Sequence, residues 1–201
     1  MARDNSNILP FPNHIDRDIF GAWFSGFTDG EGCFGLNFSN THNRSNRSPQ
    51  ARFRIGLRKD DSNVLKLIQS YFGIGCIEYS DRKLLRANTN PSCTWYLQNS
   101  KHCLEILVPH FERFPLFAKK QRDFEIWKQG VKFIESKYTN IKRHSTGRYC
   151  QRRWSDSDLE EFGKLIDALR ETRKYTEDPL AIPEIAIKTP NDNQILLFDI
   201  M

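Results

Sequence analysis

Two carboxylates two residues apart, Asp29 and Glu31, stand inside a frame of three glycines, Gly26, Gly30 and Gly32. An acid at the end of a helix, with glycine on either side, can bring its carboxylate and nearby backbone carbonyls up to a hard divalent cation, which takes oxygen ligands. Such a cation supplies an activated hydroxide and stabilises developing negative charge. A second set of residues is basic. Between Leu36 and Lys59 there are five Arg and one Lys without an acid, and between Lys137 and Arg153 four Arg and two Lys, again without an acid. A net charge of +5 is modest, but this clustering points to an anionic partner.

The surrounding pattern says what must position these groups. A helix is expected over 16–29, with Ile19, Phe20, Trp23, Phe24 and Phe27 at helical spacing and Ala22, Ser25 and Gly26 on a small face. Glycine weakens a helix by roughly 1 kcal/mol relative to Ala, so Gly21 and Gly26 imply close approach of another backbone. Phe34, Leu36 and Phe38 alternate with Gly35, Asn37 and Ser39, and Phe53, Ile55 and Leu57 alternate with Arg52, Arg54, Gly56 and Arg58. These are two half-buried strands of a hairpin whose turn carries Arg44 and Arg47. A helix over 60–72, strands near 76–80 and 94–98, a helix from Asn99 or Ser100 to about Phe111, and one from about Ala118 to Glu135 follow. The order α-β-β-α-β-β-α, with further helical segments, predicts an α+β fold: a four-stranded antiparallel sheet with helices on one face.

The open face of that sheet would carry Asn37, Ser39, Arg52, Arg54, Arg58, Glu78, Thr94, Tyr96 and Gln98. A polar sheet face can simply be solvated. Three arginines on one short strand repel each other, however, and a β-ribbon fits the major groove of DNA, where Arg, Asn and Gln pair with base edges. The division expected along the chain is an arm at 1–13, a core at 14–136, and a basic segment, extra helix and tail over 137–201. No run of ~18 apolar residues is present, so no membrane partner is expected. Cys33, Cys76, Cys93, Cys103 and Cys150 lack C-x-x-C spacing and are odd in number, which argues against a zinc site or a disulfide framework. The first residues lack the apolar segment of a signal peptide. The compartment stays open, since an organelle-encoded or a bacterial or phage-encoded protein needs no targeting segment.

Phe24-Ser25-Gly26-Phe27-Thr28-Asp29-Gly30-Glu31-Gly32 resembles the LAGLIDADG motif of homing endonucleases, in the variant L-A-G-F-x-D-G-E-G. The resemblance implies that the four-stranded sheet is saddle-shaped, and that the protein is a site-specific double-strand DNA endonuclease using Mg²⁺, with Mn²⁺ or Ca²⁺ able to substitute in binding. Glu31 matches the motif's metal-binding acid, Gly30 the residue whose carbonyl also reaches the metal, and Asp29 the first acid, which orders the turn and interface. Phe53 to Asp60 resembles the family's F-x-I-x-Q-K-D strand end with one extra residue, which puts Arg58 where many relatives carry a water-ordering Gln. Phe114 to Lys120 resembles the P-L-x-x-x-K segment, whose lysine lies near the scissile phosphate; Lys120 fits best and Lys119 is the alternative.

The family pairs two motif helices. Residues 163–168 look like a second motif by letters, but Leu169 stands at the acid position and Arg170 follows. The resemblance therefore implies a homodimer packed through Ala22, Ser25, Gly26 and Asp29, with a near-palindromic DNA site. The basic residues Lys142, Arg143, Arg148, Arg152 and Arg153 are expected to clamp flanking phosphates. Such enzymes generally spread an intron, and an intein origin is disfavoured because the chain neither begins with Cys or Ser nor ends with His-Asn. Two rivals stand beside this reading: a maturase that binds intron RNA, and a DNA-binding regulator of the same fold that does not cleave.

Overall fold

A computed structural model describes residues 8–39, 47–80, 90–138 and 154–174. Helix α1 runs over Arg17–Glu31, started by the Asp16 carboxylate, which accepts from the amides of Asp18 and Ile19. The expected helix thus extends two residues further and includes Glu31. Phe20 and Phe24 turn into the core, while Ile19 is 73% and Trp23 42% exposed. The chain then passes without a loop into strand β1 (Gly32–Phe38), which pairs antiparallel with β2 (Pro49–Arg58) from Gly32↔Ile55 to Phe38↔Pro49.

After a short 3-10 turn, α2 (Ser62–Phe72) presents Leu65 and Ile68 inward and ends at Gly73 in the left-handed region. Gly75 is also left-handed, and a Cβ there would meet the Trp95 indole at 2.2 Å, so this corner requires glycine twice. Strands β3 (Cys76–Ser80) and β4 (Ser92–Leu97) complete a four-stranded antiparallel sheet in the order β1-β2-β4-β3. One expected helix is broken into three parts: α3 (Ser100–His102), a π turn (Cys103–Leu107) and α4 (Val108–Arg113). Pro109 is the reason: in a regular helix its ring would crowd the carbonyl four residues back and its missing N–H would leave that carbonyl unpaired. A π turn ahead of it widens the backbone.

Helix α5 (Lys120–Tyr138) lies across the sheet, and α6 (Asp156–Glu171) packs on α5 and on β1. Its start is a capping box between Ser155 and Asp158. Phe162 meets Phe38 and Phe133, and beyond the helix Arg173 donates to the Phe34 carbonyl and pairs with Asp123. One carbonyl on the outer edge of β1 is thereby occupied, which makes that edge a poorer template for unwanted strand pairing. The helices all serve one face, where Phe24, Phe34, Phe53, Trp95, Phe111, Phe124 and Trp127 are fully buried. No helix among the described residues is long and apolar enough to cross a membrane.

Candidate catalytic corner and nucleic-acid face

The two motif acids do different things. The Asp29 carboxylate turns back onto its own chain and accepts the amides of Phe117 at 2.8 Å and Ala118 at 3.2 Å. It thereby fixes the segment that opens α5. The first residue of α5, Lys120, reaches the end of α1, where its ammonium donates to the Asp29 carbonyl at 2.9 Å and the Gly30 carbonyl at 3.3 Å. Glu31 is exposed and makes no hydrogen bond or ion pair among the described residues. One turn of helix therefore displays an unspent carboxylate beside a lysine held on adjacent carbonyls.

Among the described residues no group of three or more His, Cys, Asp or Glu could hold a metal. One carboxylate and one carbonyl are oxygen donors of the right kind for Mg²⁺, which binds through few protein oxygens and keeps waters. Alone they are too few to hold it, and the Gly30 carbonyl already accepts from Lys120. The third expected catalytic residue, Arg58, is engaged elsewhere. Its guanidinium grips Asp60 through two bonds of 3.1 and 2.6 Å, and both side chains are more than 60% exposed.

The exposed stripe of α1 is Ile19, Ala22, Trp23, Gly26 and Gly30, three and four residues apart. A Cβ at Gly26 or Gly30 would have open space within 4 Å. Of the residues expected at a dimer contact, Ala22 and Gly26 lie on this stripe. Ser25 does not: it is 2% exposed, and its hydroxyl donates inward to the Phe114 carbonyl at 2.6 Å and lies 3.4 Å from His110 Nε2. Asp29 is committed to its own chain's loop, as above. His110 itself is buried among aromatic rings, and desolvation first, then the Arg113 charge, holds its pKa down to about 4.

The open sheet face carries the expected polar set unevenly. Asn37 and Arg54 are exposed, as are Gln98 beyond the end of β4 and Arg47 ahead of β2. The Asn37 amide bonds the Phe38 carbonyl and Gln50, and the Arg47 guanidinium stands over the Phe38 ring. Ser39 is tied to Ser48 by three bonds. Thr94 is half-buried opposite Gly56. Tyr96 differs from the expectation of an open reader: only 6% of it is exposed, because Arg52 covers it and its hydroxyl donates to Glu78. Gln50, which the period-two pattern places on the same face, was missed by the sequence reading. Arg44, Lys142, Arg143, Arg148, Arg152 and Arg153 lie outside the described residues.

The sequence model of the LAGLIDADG endonucleases matches residues 24–131, more than half of the chain. This chain is a member of the LAGLIDADG endonuclease family. It is 36% identical over 120 residues to an uncharacterized 50.9 kDa protein in ND4 intron 1 of Podospora anserina, covering 57% of this chain and 24% of that protein. It is 32% identical over 150 residues to probable intron-encoded endonuclease 2 of Neurospora crassa, covering 71% of this chain and 32% of that protein. Among solved structures, the I-LtrWI LAGLIDADG homing endonuclease bound to target DNA superposes with a TM-score of 0.63 at 18% identity, covering 88% of this chain and 55% of that one. I-SmaMI bound to uncleaved DNA in the presence of calcium ions gives a TM-score of 0.59 at 20% identity, covering 84% and 53%. The LAGLIDADG fold is common to this chain and the two solved structures. The chain spans about half the length of the solved structures and about a quarter to a third of the two curated relatives.

Proposed function

We propose that this LAGLIDADG protein is a site-specific double-strand DNA endonuclease that acts through paired motif helices. One observation carries the reading: Glu31, exposed and uncommitted, ends α1 beside the Lys120 ammonium, on a helix whose outer stripe is apolar or without side chains. A divalent metal bound there supplies hydroxide and charge stabilisation. Glu31 and the Gly30 carbonyl would hold it together with the acid of a second motif helix. Lys120 is placed to neutralise charge on a phosphate. Asp29 orients the loop from which Lys120 projects. Arg54, Asn37 and Gln98 are exposed, and such side chains pair with base edges in the major groove.

The second motif helix comes from a second copy of this chain in our reading, which gives a near-palindromic target. The half-length match to the solved structures supports a second reading, in which the partner motif belongs to the same, longer polypeptide and the target is asymmetric. The test is cleavage of the uninterrupted host-gene DNA by purified protein, with and without Mg²⁺, beside Glu31→Gln, with sedimentation of the DNA complex. Mg²⁺-dependent cutting at one place by a two-chain complex, lost in the variant, is expected. Specific DNA binding without cutting refutes the enzyme and leaves a regulator. Binding only to intron RNA leaves a maturase. Cutting by a one-chain complex refutes the homodimer.

A further inference from the structure

Resting on DNA recognition by the sheet, a further distinction can be drawn among its arginines. Arg54 is exposed, and Arg58 is bound to Asp60. Arg52 instead stands over the ring of Tyr96, its guanidinium carbon 4.1 Å from the ring centroid. The Tyr96 hydroxyl donates to one oxygen of Glu78 at 2.9 Å, and the other Glu78 oxygen lies 3.9 Å from Arg52 Nη2. Three adjacent strands, β2, β4 and β3, contribute one side chain each. On the fourth, the residue paired with Arg52 is Gly35, which has no side chain to block approach. Arg52 Nε is buried and without a hydrogen-bond partner. Its side-on edge is therefore closed, and the end-on pair of Nη groups is the fork left to meet a ligand.

We infer that Arg52 is a pre-set reader of one guanine in the major groove, and that Tyr96 and Glu78 are its positioning residues, not base contacts. A guanidinium fork pairs bidentately with guanine O6 and N7. Stacking on an aromatic face leaves its charge in place and its plane defined. Binding then orders a side chain that is already ordered, which is the usual source of gain from preorganisation. Glu78 would repel phosphates if it stood alone on this face. Held between the Tyr96 hydroxyl and the Arg52 charge, it is neutralised locally and faces its neighbours.

The experiment is selection from a randomised duplex pool by the whole chain and by Arg52→Ala, Arg52→Lys, Glu78→Gln and Tyr96→Phe. Wild type is expected to select a site containing a guanine column whose discrimination falls about 5- to 150-fold in Arg52→Ala. Arg52→Lys keeps the charge but not the planar fork, so it should weaken the same column while retaining the sequence-independent, salt-dependent part of the affinity. Glu78→Gln and Tyr96→Phe should weaken that column in part and leave the others. Uniform loss across all columns would mean these residues are only structural and overturns the inference, as does a change in a different column for Glu78→Gln, which would make Glu78 a reader in its own right. If wild type selects no site at all, the DNA-recognition reading fails and this inference fails with it; the two failures are thus told apart.

Discussion

Substituting the two motif acids one at a time separates their roles. Asp29→Ala removes the acceptor of two backbone amides, at 2.8 and 3.2 Å. A hydrogen bond to a charged group contributes about 1.5–3 kcal/mol. Phe117 and Ala118 are both exposed, so water takes over part of the interaction, and halving the sum leaves about 2 kcal/mol for the pair. For a chain of this size that lowers Tm by about 4–8 °C. Glu31→Gln breaks no contact among the described residues, and an exposed change of this kind stays within about 0.5 kcal/mol. The assay is thermal unfolding at one fixed protein concentration, so that any association is held constant, alongside cleavage of the selected DNA. The expected pattern is a stable but inactive Glu31→Gln and a destabilised Asp29→Ala that loses activity through displacement of Lys120. Equal destabilisation by both, or an unchanged Tm for Asp29→Ala, refutes the division of labour.

Two further outcomes follow from packing and burial. Gly21→Ala should improve helix propensity by up to about 1 kcal/mol, yet its Cβ would fall 2.6 Å from Phe114 Cε2 and 2.8 Å from the Tyr71 hydroxyl. Overpacking of this kind costs about 1–3 kcal/mol, so urea unfolding should show a net loss of about 1 kcal/mol, and a net gain would mean the Phe114 ring moves aside freely. His110 has a folded pKa of about 4, below its ordinary 6.5. The unfolded chain therefore binds more protons between those values, and stability is full above about pH 6.5 and falls as pH drops toward 4, by on the order of 3 kcal/mol. Urea midpoints compared between wild type and His110→Gln should show this slope in the wild type and a flatter one in the variant.

The periodicity of the chain made the elements legible, and what it concealed was partnership. Ile19, Phe20, Trp23, Phe24 and Phe27 announce a helix, but spacing alone does not say that Phe20 and Phe24 fill the core while Ile19 and Trp23 stay outside. A core stripe and a docking stripe are made of the same residue types. Ser25 belongs by size with Ala22 and Gly26, but its hydroxyl satisfies the Phe114 carbonyl inside the chain. Alternation placed Arg52, Glu78 and Tyr96 on one face of the sheet, but the register that joins β2 to β4 and β4 to β3 decides which of them touch. The bond from Asp29 to the Phe117 amide spans 88 residues, and no local pattern encodes it. Arg58 and Asp60 are two residues apart across a tight turn, so their pairing is a signal that the local sequence does carry.

The spacing of the motif acids bears on why the proposed metal site would need a second helix. Residues two apart on a helix point to nearly opposite sides, since successive residues turn by about 100°. Asp29 and Glu31 therefore cannot converge on one cation: if the first turns inward to the α5 loop, the second must turn outward. Gly30 between them leaves the intervening surface bare, with open space within 4 Å of where a Cβ would stand, and Gly26 does the same one turn earlier on the same stripe. A second helix laid along that stripe could approach closely at both glycines and bring its own outward acid beside Glu31. On the proposed reading the acids, the glycines and the exposed Ile19 and Trp23 would be parts of one device, in which the arrangement that denies a metal site to one helix would build one between two.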